Sequence, residues 1–338
     1  MFNSYKTFLS SLSALPYAST QFQDLALERQ AQLTKPAGSL GRLEEITVWL
    51  SGWQQQNQLS VDKIEGLLFA GNHGVVEENV SPYPSEVTAQ MVANFEAGGA
   101  AINVLTQQFG HKLRVFPIEL ERPTANFSKQ PAMTIEETLE AINIGAKAVE
   151  KSEADLLYFG EMGIGNTTSA AAISAMVFGG TGRDWAGPGT GLSVSGVEHK
   201  ASVIDKALAM HKDVVKTPFD VMRLLGGREL AAIMGAIVAA RLRSIPVLLD
   251  GFVVTAAAVP LVIHGADTLD HCLSSHCSAE PGHQRLLDHL WMEPLLNLRM
   301  RLGEGSGAAV AAELVKAAVA TYNDMATFQE AAVATKKS

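Results

Sequence analysis

Within the first sixty positions, apolar residues recur every three or four places. In "FQDLALERQAQLTK" (22–35) and "LGRLEEITVWLSGWQQQ" (40–56) they make stripes between polar residues, and this spacing predicts two amphipathic helices. "KPAGSLGRL" divides them as a Pro/Gly turn, with Ser39 a candidate cap for the second. At the start of the chain, Phe8, Leu9, Leu12 and Leu15 share a face while serines interrupt the run. That pattern suits a short helix better than a secretory leader.

Past residue 60 the pattern changes. Short continuous apolar runs end in glycine turns and are followed by helical stretches. "IEGLLFAGNHG" (64–74) leads into "SEVTAQMVANFEAGGAAINVLTQQFG", and "KLRVFPIEL" (112–120), "ADLLYFGEMGIGNTTSAAAISAMV" (154–177) and "IPVLLDGFVVTAAAVPLVIHGA" (245–266) follow. Buried strands alternating with helices predict an α/β fold: a mostly parallel, Rossmann-like sheet flanked by helices. Ligands of such sheets bind at the carboxyl ends of the strands, where these glycine turns fall. "AAELVKAAVATYNDMATFQEAAV" (311–333) again reads as helix, and "GGTGRDWAGPGTGL" (179–192) as a loop too rich in glycine for regular structure. We expect a small helical domain built from residues 1–60 and 315–338 beside a large catalytic domain of residues 61–314.

Composition narrows the function. The chain has 338 residues, 47% of them apolar and 18% charged, which suits a globular protein with a large core. A formal net charge of −9 excludes a general nucleic-acid binder but leaves room for a local pocket for one phosphate. Two cysteines, Cys272 and Cys277, give no disulfide framework and fit a reducing cytoplasm. The longest apolar region is broken by Arg241, Arg243, Pro246 and Asp250, so no membrane span is expected.

In "GEMGIGNTT" (160–168), a strand passes through Gly163 and Gly165 into a helix opened by Asn166, Thr167 and Thr168. Free N–H groups at such a helix start, with hydroxyls beside them, make an anion site; the plainer reading is a strand–helix turn with a threonine cap. Glu161, just after the strand, is placed to hold a ribose hydroxyl. "GPGTGLS" (187–193) is a second glycine loop, containing Gly189, with Lys200 downstream either as a phosphate ligand or as a solvated charge. Neither loop is a P-loop or a clean G-x-G-x-x-G. Asn72 and His73 follow the first strand, and the stiff Pro82-Tyr83-Pro84 segment with Val87 and Met91 either walls a flat aromatic ligand or forms a buried helix face.

"HCLSSHCS" (271–278) invites a metal reading through His271, Cys272, His276 and Cys277, but the second, distant ligand pair of a structural zinc site is missing, and no metal is expected. No HExxH, G-x-S-x-G or kinase signature occurs. In "LGEGSGAA" (302–309), Glu304 stands among glycines before a helix. That arrangement predicts an exposed carboxylate, kept ionised by the helix dipole and suited to accepting a proton.

Taken in order, "KPAGSLGRLE", "GNHGVVEENVSPYPSEVTAQMVANFEAGGAAINVL", "GEMGIGNTTSAAA", "LLDGF", "NLRMRLGEGSGAA" and "YNDMATF" resemble the nicotinate-nucleotide–dimethylbenzimidazole phosphoribosyltransferases along nearly the whole chain. The resemblance implies transfer of the 5-phosphoribosyl group of nicotinate mononucleotide to 5,6-dimethylbenzimidazole, late in assembly of the lower ligand of cobalamin. The products would be α-ribazole 5′-phosphate and nicotinate, with inversion at the anomeric carbon. It implies Glu304 as general base and a phosphoribosyl site of Glu161, Gly163, Gly165, Asn166, Thr167, Gly189 and Lys200. The aromatic-base site would comprise Tyr83, Gln90, Met91 and Leu302, with Tyr83 and Met91 standing where some relatives carry serine and glutamine. It further implies no metal or redox cofactor, no nucleic-acid partner and a cytoplasmic homodimer. Two other readings are a non-catalytic nucleotide binder on the same fold, which has no need of Glu304, and a nicotinamide-dependent dehydrogenase, for which the dinucleotide fingerprint is missing.

Overall fold

The computed structural model describes residues 1–334; residues 335–338 of the expected small domain lie outside them. β1 (Ile64–Ala70), β2 (Lys112–Pro117), β3 (Leu156–Met162), β4 (Val247–Leu249) and β5 (Cys272–Ser274) form one sheet in the order β2-β1-β3-β4-β5, with every neighbouring pair parallel. Helices α1 (Tyr5–Leu12), α2 (Thr20–Gln32) and α3 (Arg42–Gln54) precede the sheet. Between β1 and β2 lie α4 (Glu86–Glu96) and α5 (Ala101–Phe109), and α6 (Ile135–Glu150) joins β2 to β3. The long connection from β3 to β4 holds α7 (Asn166–Phe178), α8 (Gly182–Trp185), α9 (Val194–His211), α10 (Pro218–Leu225) and α11 (Arg228–Leu242). α12 (Phe252–Ala258) follows β4, and α13 (Pro281–Leu290) and α14 (Ser306–Asp324) follow β5.

β1, β3 and β4 are mostly apolar because both faces of the sheet are covered there, whereas the edge strand β2 carries Lys112 and Arg114 and is only partly buried. Leu67 and Phe69 of β1, Leu157 and Phe159 of β3, and Val247 and Leu249 of β4 point into one apolar cluster with α6, α7, α10, α11 and α12. Their alternates, Leu68, Ala70, Leu156, Tyr158 and Leu248, join a second cluster with α3, α4, α5 and α14. The period of two in a strand thus divides each run between two helical layers. α1 belongs to the first layer, where Phe8 lies 6.4 Å from the ring of Phe219, whereas α3 packs on α14 in the second.

Some local expectations fail for identifiable reasons. Ser39 does not cap α3; the turn runs on to Gly41, which is the N-cap at φ +52°. The glycine-dense stretch after α7 contains α8, whose Trp185 is fully buried. The last helix begins at Ser306 and stops at Asp324, so it crosses position 315 without a break and ends before the segment 325–333 that reads as helical. β5 was not anticipated: it is only three residues long, and β4 supplies its register.

Chain order reverses across the sheet between β1 and β3, since β1 leads outward to β2 and β3 leads outward to β4. The carboxyl ends of β3, β4 and β5 therefore deliver residues 161–167, 250–253 and 276–280 to one edge. Segment 295–300 runs beside residues 274–279, through bonds such as Cys277 N–H to Leu296 O at 2.8 Å and Ala279 N–H to Met300 O at 2.9 Å. This brings residues 301–304 to the same place. Among the described residues no helix is long and apolar enough to cross a membrane.

Candidate active site

β3 ends in Glu161 and Met162, and the chain turns through Gly165 at φ +94° into α7. No threonine caps α7 with its side chain; the N–H groups of Asn166 and Thr168 donate instead to the carbonyls of Gly163 at 3.1 Å and Gly165 at 3.0 Å. Glu161 accepts a hydrogen bond from Asn166 Nδ2. Burial pushes its carboxyl up to about 8, in the direction favoured by nearby Asp250, Glu229 and Glu304 and against the Asn166 bond. At neutral pH it is then a neutral acid able to donate and accept.

Thr167 Oγ1 accepts from Lys200 Nζ at 2.7 Å, and Lys200 also donates to Gly187 O at 3.2 Å. Lys200 is no solvated charge. It is fully buried in α9, and burial lowers its ammonium to about 8 while Glu280 supports the charged form.

Glu304 sits on three consecutive left-handed residues, at φ +85°, +64° and +85° for Gly303, Glu304 and Gly305. This turn lies flat on β3: a Cβ at Gly160 would stand 2.4 Å from the Glu304 carbonyl oxygen, so only glycine admits the approach. From the end of β4, Asp250 accepts N–H bonds from Gly305 at 3.1 Å and Ala308 at 2.9 Å. The start of α14 is thereby capped by a distant carboxylate.

The expected exposure of Glu304 is corrected here. Its relative exposure is 5%, because β3 and the start of α5 cover a position that its own neighbours leave bare. Burial raises its proton affinity above that of an ordinary glutamate, Asp250 adds to this, and the N–H of Ile102 in the first turn of α5 opposes it. Among the described residues Oε2 has no hydrogen-bond partner.

A cavity open to solvent lies beside this turn. Of the predicted residues, Glu161, Gly163, Asn166, Thr167, Gly189 and Leu302 line it. Lys200 lies just behind Thr167, Gly165 turns the chain into α7, and Glu304 follows directly on the lining residue Gly303. Tyr83, Gln90 and Met91 are not in its wall. Tyr83 is 49% exposed ahead of α4, Gln90 is exposed, and the buried face of α4 is Thr88, Val92 and Phe95, with Met91 half-buried. His73 is buried and does not line the cavity, and its Nε2 is bonded to the buried carboxylate of Glu229.

The lining also contains Ser278, Glu280 and Arg301, which sequence reading missed, and His276, which it weighed only as a metal ligand. Asp250 was visible as an acid ending an apolar strand, the signal that singled out Glu161. No comparable signal marked residues 276–280, since β5 is too short to show where a strand ends. The stretch "HCLSSHCS" disperses its side chains: His271 bonds Ile237 O, Cys277 faces Gln284, and His276 Nε2 lies 3.4 Å from Asp250. Among the described residues no three His, Cys, Asp or Glu side chains converge as a metal site.

A family model described as Phosphoribosyltransferase matches residues 15–333. The chain is 52% identical over 333 residues to the nicotinate-nucleotide–dimethylbenzimidazole phosphoribosyltransferase of Novosphingobium aromaticivorans, covering 98% of each chain. It is 51% identical over 322 residues to the protein of that name from Mesorhizobium japonicum, covering 95% of this chain and 96% of the other. Among solved structures, CobT from Thermus thermophilus superposes with a TM-score of 0.89 at 38% identity, covering 94% of this chain and all of that one.

Proposed function

Because the chain belongs to the nicotinate-nucleotide–dimethylbenzimidazole phosphoribosyltransferase family, a group of pentosyltransferases, we propose that it moves the 5-phosphoribosyl group of nicotinate mononucleotide onto 5,6-dimethylbenzimidazole with inversion at C1′. Glu304 is the base in this reading, and the observation that carries it is the unpartnered Oε2 of a buried carboxylate fixed on a left-handed turn.

One ring nitrogen of the neutral benzimidazole attacks C1′ from the face opposite the leaving group. The pyridinium bond breaks and nicotinate leaves with its electron pair. The ribosylated benzimidazole ring is briefly cationic, its remaining N–H is acidified, and Glu304 takes that proton to leave α-ribazole 5′-phosphate with a neutral ring. A lone acceptor in a low-dielectric pocket suits this step, because the carboxylate gains a partner only as positive charge develops. Lys200, Thr167, Gly189 and the first turn of α7 would receive the phosphate, and Glu161, neutral at working pH, would hold a ribose hydroxyl. Holding both rings and the ribose in line supplies much of the remaining acceleration. Tyr83, Gln90, Met91 and Leu302 stand as the base site, and a cytoplasmic homodimer belongs to the same proposal.

Incubation with both substrates should release nicotinate and form α-ribazole 5′-phosphate. Glu304→Gln should lower kcat by about 10²- to 10⁴-fold while binding nicotinate mononucleotide unchanged. Turnover close to that of the parent would remove Glu304 from its role. Retained binding without any nicotinate release by the parent protein would instead mark a nucleotide binder.

A further inference from the structure

The cavity wall contains a carboxylate that is unexpected beside a phosphate. Glu280, at the start of α13, is 7% exposed and lines the cavity with Thr167 and Gly189. Its Oε2 has no hydrogen-bond partner and sits against Gly187, where a Cβ would lie 2.1 Å from it. The N–H of Gly189 points at the carboxylate, and Lys200, anchored on the Gly187 carbonyl, is the cation that supports it, with Arg301 adding a weaker attraction. Among the described residues the Glu280 carboxylate therefore lies, with no hydrogen bond or ion pair of its own, beside the backbone donor and the positive charge that an incoming phosphate needs.

We propose that Glu280 is an internal stand-in for the substrate phosphate, an unpartnered negative charge set in the wall beside Gly189 and Lys200 in the free protein that takes up a proton when the nucleotide binds. This rests on reading the cavity as the phosphoribosyl site. Two anions cannot both stay charged beside one buried ammonium, and a phosphate monoester is the stronger competitor. The carboxyl already has raised proton affinity, chiefly from burial, so solvent supplies the proton at modest cost.

The other groups around it do not substitute for that proton. His283 on α13 is held neutral by burial, down to about 3, and Glu161 and His276 line the same cavity on the β3 and β5 sides. Nicotinate mononucleotide should therefore bind less well as pH rises through the titration of Glu280. A further loss should follow above about 8, where Lys200 discharges. The second ionisation of the phosphate itself, near ~6, affects parent and variant alike.

The test is calorimetric titration of the full chain with nicotinate mononucleotide and with nicotinate riboside, across pH and in buffers of different ionisation enthalpy. The parent should take up protons on binding the nucleotide. Glu280→Gln should bind the nucleotide about three- to tenfold more tightly near neutral pH, lose that uptake, and leave riboside affinity unchanged. Glu280→Asp, its charge withdrawn by one methylene, should move in the same direction by less, and it serves if the amide variant folds poorly. Unchanged or weaker nucleotide binding in Glu280→Gln overturns the inference, as does an equal loss for the riboside, which would make Glu280 a ribose ligand. A parent protein that binds nucleotide no better than riboside overturns the inference together with the phosphoribosyl reading.

Discussion

At the scale of single residues, this site depends on acids and a lysine held away from water. Glu304 must be ionised to accept a proton, and burial raises its proton affinity, so the acid limb of the rate should lie above the usual carboxylate range. On the alkaline side, Lys200 and Glu161 both lose protons near about 8. One loss removes positive charge from the phosphate's neighbourhood, and the other adds negative charge beside the ribose. The profile of kcat/KM for nicotinate mononucleotide should therefore rise with pH as Glu304 ionises and fall again near about 8. Initial rates of nicotinate release across this range check it, and a rate that stays level well past the alkaline limb would contradict the assigned charges. The sequence singled out Glu304, Glu161 and Lys200, left Lys200 open between a phosphate ligand and a solvated charge, and misjudged the exposure of Glu304. Glycines beside Glu304 say that its own neighbours lack side chains, and they say nothing of β3 and α5 closing over it.

Elements explain why Glu304 holds its position. A helix start needs acceptors for its first N–H groups, and α14 draws them from Asp250, more than fifty positions earlier at the end of β4. The cap therefore welds the sheet edge to the turn carrying Glu304, a link between strand and helix that local capping rules do not reach. Asp250→Asn leaves one acceptor oxygen for two N–H donors and turns an amide N–H toward the other, at a cost of about 1–3 kcal/mol. Denaturant unfolding should register that loss. In kinetics, kcat should fall more than KM for the nucleotide rises, and the acid limb should move to lower pH, because removing the Asp250 charge eases ionisation of Glu304. A variant with lowered stability and an unmoved acid limb would reduce Asp250 to a cap alone.

Over the whole molecule, the alternation of apolar runs with glycine turns revealed the parallel sheet and four of its strands, because burial on both faces leaves an unbroken apolar signature. β5 carries no such signature: it borrows its register from β4, and with it went the residues that close the cavity, from His276 to Glu280. The cavity joins segments near 161–167, 189–190, 251–253, 276–280 and 301–303, so a ligand touching them bridges much of the sheet edge. Global unfolding separates those segments, and a ligand bound only by the folded chain must oppose it. Nicotinate mononucleotide at about a hundred times its Kd should add about 2.7 kcal/mol to stability and raise Tm by several degrees in scanning calorimetry. Lys200→Ala should abolish most of that shift at the same concentration, since Lys200 supplies the buried charge for the phosphate. Dimethylbenzimidazole, which has no phosphate, should stabilise parent and variant alike. A nucleotide shift that survives Lys200→Ala intact would place the phosphate elsewhere on the molecule.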